Sequence, residues 1–178
     1  EVLQLMCVDQ VETSVDQYLK VIEYKTAALF EALCECTAVL SGCDDNVRKN
    51  LASYGRNIGL AFQISDDVLD YTAESDDQIG KNIGDDLSGG KITLPFIYAF
   101  ENCSGPQKKI LREIIQKRKI EDFLILRDII FDTDSIKLTQ EKAKEFVNLA
   151  KENLKVVENS EICSLLNFLA DFSISRKR

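Results

Sequence analysis

The stretch Ile58-Gly59-Leu60-Ala61-Phe62-Gln63-Ile64-Ser65-Asp66-Asp67-Val68-Leu69-Asp70 restricts the fold more than any other part of the chain. It reads as the later part of a long helix that begins near Asp44 or Asp45 and runs to about Tyr71. Its apolar residues fall on more than one face. A surface helix needs a single apolar stripe, so a helix of this kind belongs at the centre of a bundle.

The remaining segments agree, because almost all carry helical and not strand periodicity. Ser14 followed by Gln17 predicts a capping box that opens a helix running to about Leu40. Val15, Leu19, Ile22, Ala28, Leu29, Ala32 and Leu33 are its apolar positions, and Gly42 is the expected stop. Helices resume near Leu94-Pro95, where proline suits a first turn. Gly105-Pro106 marks the next boundary. Further helices fit 107–117, 121–131, 139–157 and 161–173. Between Thr72 and Gly90, four glycines (Gly80, Gly84, Gly89, Gly90) among Asp, Asn, Ser and Lys predict a long loop, and long loops in compact domains are often functional. The expected fold is all-α, a helical bundle, with residues 1–178 forming one domain.

Charge and residue usage narrow the chemistry. A net charge of −8 and a pI near 4.7 argue against a phosphate-backbone binder. Lys108, Lys109, Arg112, Lys117, Arg118 and Lys119, and the later Arg176-Lys177-Arg178, read as solvated helix faces and a basic tail. No apolar run approaches the ~20 residues of a membrane span. Glu1–Gln10 lacks the features of a signal peptide, so the expected setting is the cytosol or an organellar matrix. The 6 cysteines have no CxxC spacing and the chain has no histidine. Zinc sites of the Cys/His type are thereby excluded, and free thiols in a reducing compartment are expected. Without histidine the commonest general base is missing, which leaves carboxylates, lysines and metal ions.

Asp66 and Asp70 lie four apart on one helical face, with Asp67 at a neighbouring angle. Like charges at that spacing repel, the helix C-terminus opposes carboxylates, and burying them is costly unless something neutralises them. Two readings stand side by side: a solvated acidic turn, or a carboxylate cluster that holds hard divalent cations. Oxygen donors alone point to Mg²⁺ bridging to phosphate oxygens, whereas the alternating ligands of an EF-hand fit poorly. Within about 25 residues follow Gly80-Lys81 and then Asp85-Asp86-Leu87-Ser88-Gly89-Gly90-Lys91-Ile92-Thr93-Leu94-Pro95. Lysines on a glycine-rich loop beside metal-binding carboxylates suit an anionic phosphate group.

Taken together, these residues resemble the trans-isoprenyl (polyprenyl) diphosphate synthases. The stretch from Gly59 to Thr72 is similar to that family's second aspartate-rich region. Gly80 to Pro95 is similar to its downstream loop, and Tyr18 to Phe30 to its Lys-Thr helix. The three motifs come in the family's order, and the likeness weakens after about Phe100. The resemblance implies Mg²⁺ on Asp66, Asp67 and Asp70, bridging an allylic diphosphate. It implies that Lys25 and Lys81 bind that diphosphate, that Lys91 adds a third cation, and that Thr26 and Gln63 line the cleft. Lys25, Lys81, Asp66 and Asp67 are the implied catalytic residues. Asp86 matches the family's Asp-Leu position, and Asp85 is an extra acid without a role.

The implied activity is condensation of isopentenyl diphosphate with an allylic prenyl diphosphate by a homodimer. The Leu60-Ala61-Phe62-Gln63 run leans towards long-chain, quinone-tail synthases. The family's first aspartate-rich motif and a basic cluster are absent from residues 1–178. The expectation is therefore a C-terminal half, inactive alone, with apolar surface near Ile58, Leu60, Phe62 and Ile64 left without partners. A catalytically silent partner subunit and a terpene cyclase-like relative are the alternatives. The retained lysines and aspartates weigh against the first, and Gly90-Lys91-Ile92-Thr93-Leu94-Pro95 against the second.

Overall fold

The computed structural model describes residues 1–72, 84–158 and 160–175. Helix α1 (Val2–Met6) is short. Helix α2 (Val15–Ile22) runs through a π-helical turn, Glu23–Ala27, into α3 (Ala28–Leu40). The long α4 (Asp45–Thr72) follows, then the single turn α5 (Asp85–Ser88) and α6 (Leu94–Asn102). Helix α7 (Gly105–Lys117) leads through a 3₁₀ turn, Ile120–Asp122, to α8 (Phe123–Asp132). Helix α9 (Ser135–Asn153) ends in a 3₁₀ turn, Leu154–Val156, ahead of α10 (Ser160–Ser175). No strand occurs among the described residues, as the periodicity requires.

The chain divides into two compact units: one of Glu1–Val21 with Asp66–Gln140, the other of Ile22–Ser65 with the residues from Glu141 onward. The division falls inside α4, after Ser65.

Local chemistry sets the helix ends. At the start of α2 the Ser14 amide donates to Gln17 Oε1 (2.9 Å) and the Gln17 amide to Ser14 Oγ (3.2 Å), the reciprocal pair of a capping box. Helix α3 stops in a Schellman turn: Cys43 N donates to Ala38 O and Gly42 N to Val39 O, both at 3.1 Å. The Asp44 carboxylate accepts from the Val47 amide (2.9 Å) at the start of α4. Ser104 and Gln107 form a second capping box, which starts α7 two residues before the expected 107. The expected loop of residues 72–90 is shorter than predicted at both ends: α4 includes Thr72, and Asp85–Ser88 winds into a turn. Its residues 73–83 lie outside the described residues.

In the second unit, Tyr54, Ile58 and Ala61 of α4 pack with Val147 and Ala150 of α9, Leu154 and Ala170. Gly55 and Gly59 bring α4 against the preceding helical segment. A Cβ on Gly55 would sit 2.4 Å from the Phe30 carbonyl oxygen, and one on Gly59 2.5 Å from Ala27 Cα. Such approaches leave no room for a side chain. Tyr54 Oη donates to Leu166 O (2.8 Å) and Asn57 Nδ2 to Asn153 Oδ1 (3.1 Å). The expectation of unpartnered surface around Ile58, Leu60, Phe62 and Ile64 is corrected here: Ile58, Leu60 and Ile64 are buried and Phe62 is half-buried. For Ile58 the cover is Val147, Ala150 and Leu154. Exposed apolar residues include Leu29, Leu33, Val39 and Leu40 of α3.

In the first unit, Leu87, Leu94, Phe96, Ile97, Leu111, Ile115, Leu126 and Ile130 are buried, and Tyr71 stacks on Phe123 with ring centroids 5.9 Å apart. Much of the basic run is absorbed locally. Arg112 pairs with Glu12 (3.0 Å), Lys117 with Glu113 (3.0 Å) and Arg118 with Asp9, while Lys108 and Arg112 lie over the Phe100 ring. Arg176, Lys177 and Arg178 lie outside the described residues. Among the described residues no helix is long and apolar enough to cross a membrane.

Candidate functional site

The acidic end of α4 is built into the first unit by a tight turn that follows α5. Gly90 has φ 63°, and a Cβ there would lie 2.4 Å from Asp9 Oδ1. Only glycine takes that position without strain. The Gly90 carbonyl accepts from the Asp9 amide (3.0 Å), and the Lys91 amide donates to Asp86 O (2.8 Å). The backbone of Lys91 is thereby pinned beside α5, and its side chain points at α4.

Four side chains meet there. Lys91 Nζ donates to Asp67 Oδ1 (2.7 Å) and to Asp86 Oδ1 (3.3 Å), while Tyr18 Oη donates to Asp67 Oδ2 (2.6 Å). Asp67 is 1% exposed and Asp86 5%, so both carboxylates are out of bulk water. Burial alone disfavours the Lys91 cation, but the charges of Asp67 and Asp86 outweigh it and raise the pKa above the ordinary lysine value. Burial, with Asp67 adding to it, drives the Tyr18 hydroxyl well above the usual tyrosine range, so it stays a proton donor. Tyr71 Oη and Thr93 Oγ1 form a buried contact of 3.3 Å, and burial with the Asp86 charge also raises the Tyr71 pKa.

Asp66 is half-buried and Asp70 fully buried, while Asp85 is exposed on α5. Among the described residues no three Asp, Glu or Cys side chains converge into a cage that could hold a metal ion by themselves. The donor set still suits Mg²⁺, which keeps several waters and takes one or two carboxylates plus substrate phosphate oxygens.

In the second unit, Lys25 and Thr26 lie on the π-helical turn, a feature often found where function needs it. Lys25 is exposed, and Thr26 Oγ1 donates to Gln63 Oε1 (2.8 Å). The resemblance placed both residues along a cleft, but neither their mutual hydrogen bond nor the π turn was expected from the sequence. Lys81 lies outside the described residues. Tyr18 is the polar residue that sequence reasoning did not single out. No local pattern marked it, because its role depends on a partner 49 residues away.

An all-helical chain with an aspartate-rich helix end set against a lysine-bearing glycine turn defines the class. The description "Polyprenyl synthetase" matches as a family over residues 1–129. The octaprenyl diphosphate synthase of Escherichia coli (strain K12) is 37% identical over 179 residues, covering 100% of this chain and 55% of that protein. The all-trans-nonaprenyl-diphosphate synthase (geranyl-diphosphate specific) of Rhodobacter capsulatus is 36% identical, covering 99% and 54%. The crystal structure of polyprenyl synthase from Caulobacter crescentus CB15, complexed with calcium and isoprenyl diphosphate, superposes with TM-score 0.93 at 36% identity over 99% of this chain and 54% of that one. The chain belongs to the polyprenyl synthetase family. It spans about half the length of the curated relatives it matches.

Proposed function

We propose that the protein carrying this chain is a trans-polyprenyl diphosphate synthase, which condenses isopentenyl diphosphate with an allylic prenyl diphosphate. The observation that supports this best is the acidic end of α4, whose residues stand in the family motif with oxygen donors only. The acidic end of α4, Asp66 foremost, would hold Mg²⁺, and the ion would supply positive charge to the departing diphosphate. Lys25 and Lys81 bind that diphosphate by charge-assisted hydrogen bonds, and Thr26 and Gln63 orient it. As the allylic C–O bond breaks, the double bond of isopentenyl diphosphate forms the new C–C bond and a proton passes to the released diphosphate. Histidine is not needed at any point.

Relatives named octaprenyl and nonaprenyl diphosphate synthase support a long-chain product. The Caulobacter relative, named as complexed with calcium and isoprenyl diphosphate, supports both the divalent ion and the ligand class. Residues 1–178 belong to one functional domain, and the protein is a homodimer, to which the exposed Leu29, Leu33 and Leu40 offer apolar surface. Two measurements test the reading. Labelled isopentenyl diphosphate should enter an allylic primer only with Mg²⁺, in a protein carrying these residues. Light scattering should report a dimer. Absence of incorporation, together with absence of any Mg²⁺-dependent binding of inorganic diphosphate, would refute the enzymatic reading.

A further inference from the structure

The Tyr18–Asp67–Lys91–Asp86 group divides the labour among the three aspartates of α4. We propose that Lys91 is a built-in counter-ion for Asp67 and that Tyr18 is a positioning residue for the same carboxylate, so that Asp67 anchors the helix end and leaves metal contact to Asp66. This inference rests on the diphosphate-and-metal reading above, and it takes Lys91 out of the cations and Asp67 out of the metal ligands that the family resemblance implies.

Three observations carry it. Each oxygen of Asp67 already has a short, charge-assisted partner, Tyr18 at 2.6 Å and Lys91 at 2.7 Å. At 1% exposure Asp67 has no open side through which a hydrated divalent ion could approach, whereas Asp66 is half-buried. Lys91 is also not free to leave. Its amide is bonded to Asp86 O (2.8 Å), and its ammonium bridges Asp67 and Asp86, so withdrawing it would remove the shared counter-charge of two buried carboxylates. An ammonium is a compact point charge with three donors, which suits a bridge between two carboxylates better than a planar guanidinium.

The four partners come from three separate places: Tyr18 on α2, Asp67 on α4, and Asp86 on α5 with Lys91 in the turn just after it. The group therefore ties the acidic helix end to the segment that follows residues 73–83. Its role is to hold the α4 terminus in one rotation, and so to hold Asp66 in one orientation.

Thermal unfolding without ligand is the first test. Lys91→Gln should lower Tm by roughly 10 °C, as expected for a stranded buried charge. The double change Asp67→Asn with Lys91→Gln should regain most of that loss. A double variant no more stable than Lys91→Gln alone, or a Lys91→Gln protein that melts with wild type, overturns the counter-ion role. If Lys91→Gln alone fails to fold, a folded double variant supports the role and an unfolded one overturns it.

The second test is the Tm shift that Mg²⁺ with inorganic diphosphate gives the full chain. The double variant should keep the wild-type dependence on Mg²⁺, while Asp66→Asn loses it. Tyr18→Phe should weaken it about fivefold, the worth of one hydrogen bond, and add nothing when Asp67 is already Asn. A double variant that loses the response as fully as Asp66→Asn makes Asp67 a metal ligand and overturns the proposal. An equal loss from Tyr18→Phe in both backgrounds sinks the positioning role. A wild-type chain that shows no shift counts against the diphosphate reading instead, and the Lys91 rescue then decides this one.

Discussion

One helix, α4, is held in two different ways along its length. Its middle turns, from Tyr54 to Ala61, lie in the second unit and are held by shape: glycines at 55 and 59 admit a backbone to within contact, and Ile58 and Ala61 bury against aliphatic neighbours. Its last turns, from Asp66 to Asp70, lie in the first unit and are held by charge. Tyr18 and Lys91, 49 and 24 residues away in sequence, take the two oxygens of Asp67. The difference is one of tolerance. A shape-held turn fails when volume is added, whereas a charge-held turn fails when one partner is removed and recovers when both are.

The largest effect should come from the acidic end. Asp66→Ala should cut prenyl transfer roughly a thousandfold, about the size of a lost metal contact, with far-UV circular dichroism unchanged. A near-wild-type rate would put Asp66 back among solvated helix-end acids and erase the functional half of the comparison.

The shape-held half breaks through Gly59→Val, whose Cβ would lie 2.5 Å from Ala27 Cα. Overpacking should cost about 1–3 kcal/mol or more, read as a lower urea midpoint. Unchanged stability would mean that the two segments separate without penalty.

The π-helical turn allows a finer division. Lys25→Ala should weaken binding of a short allylic diphosphate by about 1.5–3 kcal/mol, the worth of a charge-assisted hydrogen bond, with little change in Tm because Lys25 is exposed. Thr26→Val removes the 2.8 Å bond to Gln63 and should cost about 1 kcal/mol of stability. If Lys25→Ala instead lowers Tm while binding is unchanged, the turn is structural.

The smallest effect is in pH dependence. Burial, with the Cys34 charge behind it, pushes the Tyr54 pKa from 10.0 up to about 12. Because the folded state keeps the proton that the unfolded chain releases first, this contribution to stability is complete below pH 10 and is lost as pH rises towards 12. Tyr54→Phe should therefore flatten part of the alkaline fall in Tm. Identical alkaline profiles for the two proteins would show that the Tyr54 hydroxyl titrates normally.

Much of this was legible from residue order alone. The all-α fold, the capping box at Ser14 and Gln17, the Gly42 stop and the start of α4 near Asp45 all depend on local chemistry. Periodicity and caps act within a few residues, so sequence spacing carries them. The candidate site was visible as residue types in a family order, from the Tyr18–Phe30 helix to Gly90-Lys91.

Tertiary structure alone decided what those residues touch. Sequence spacing set Asp66 and Asp70 on one face with Asp67 beside them, and the family resemblance made all three metal ligands and Lys91 one more cation, because helix geometry specifies a face but not its neighbours. It also placed unpartnered surface around Ile58, which α9 and α10 cover from residues more than 80 positions away. The bond from Tyr18 and the bridge from Lys91 depend on where the α5 turn delivers one ammonium, and that is settled by burial. A carboxylate removed from water takes whichever donors the fold brings within 3 Å, and no local pattern names them.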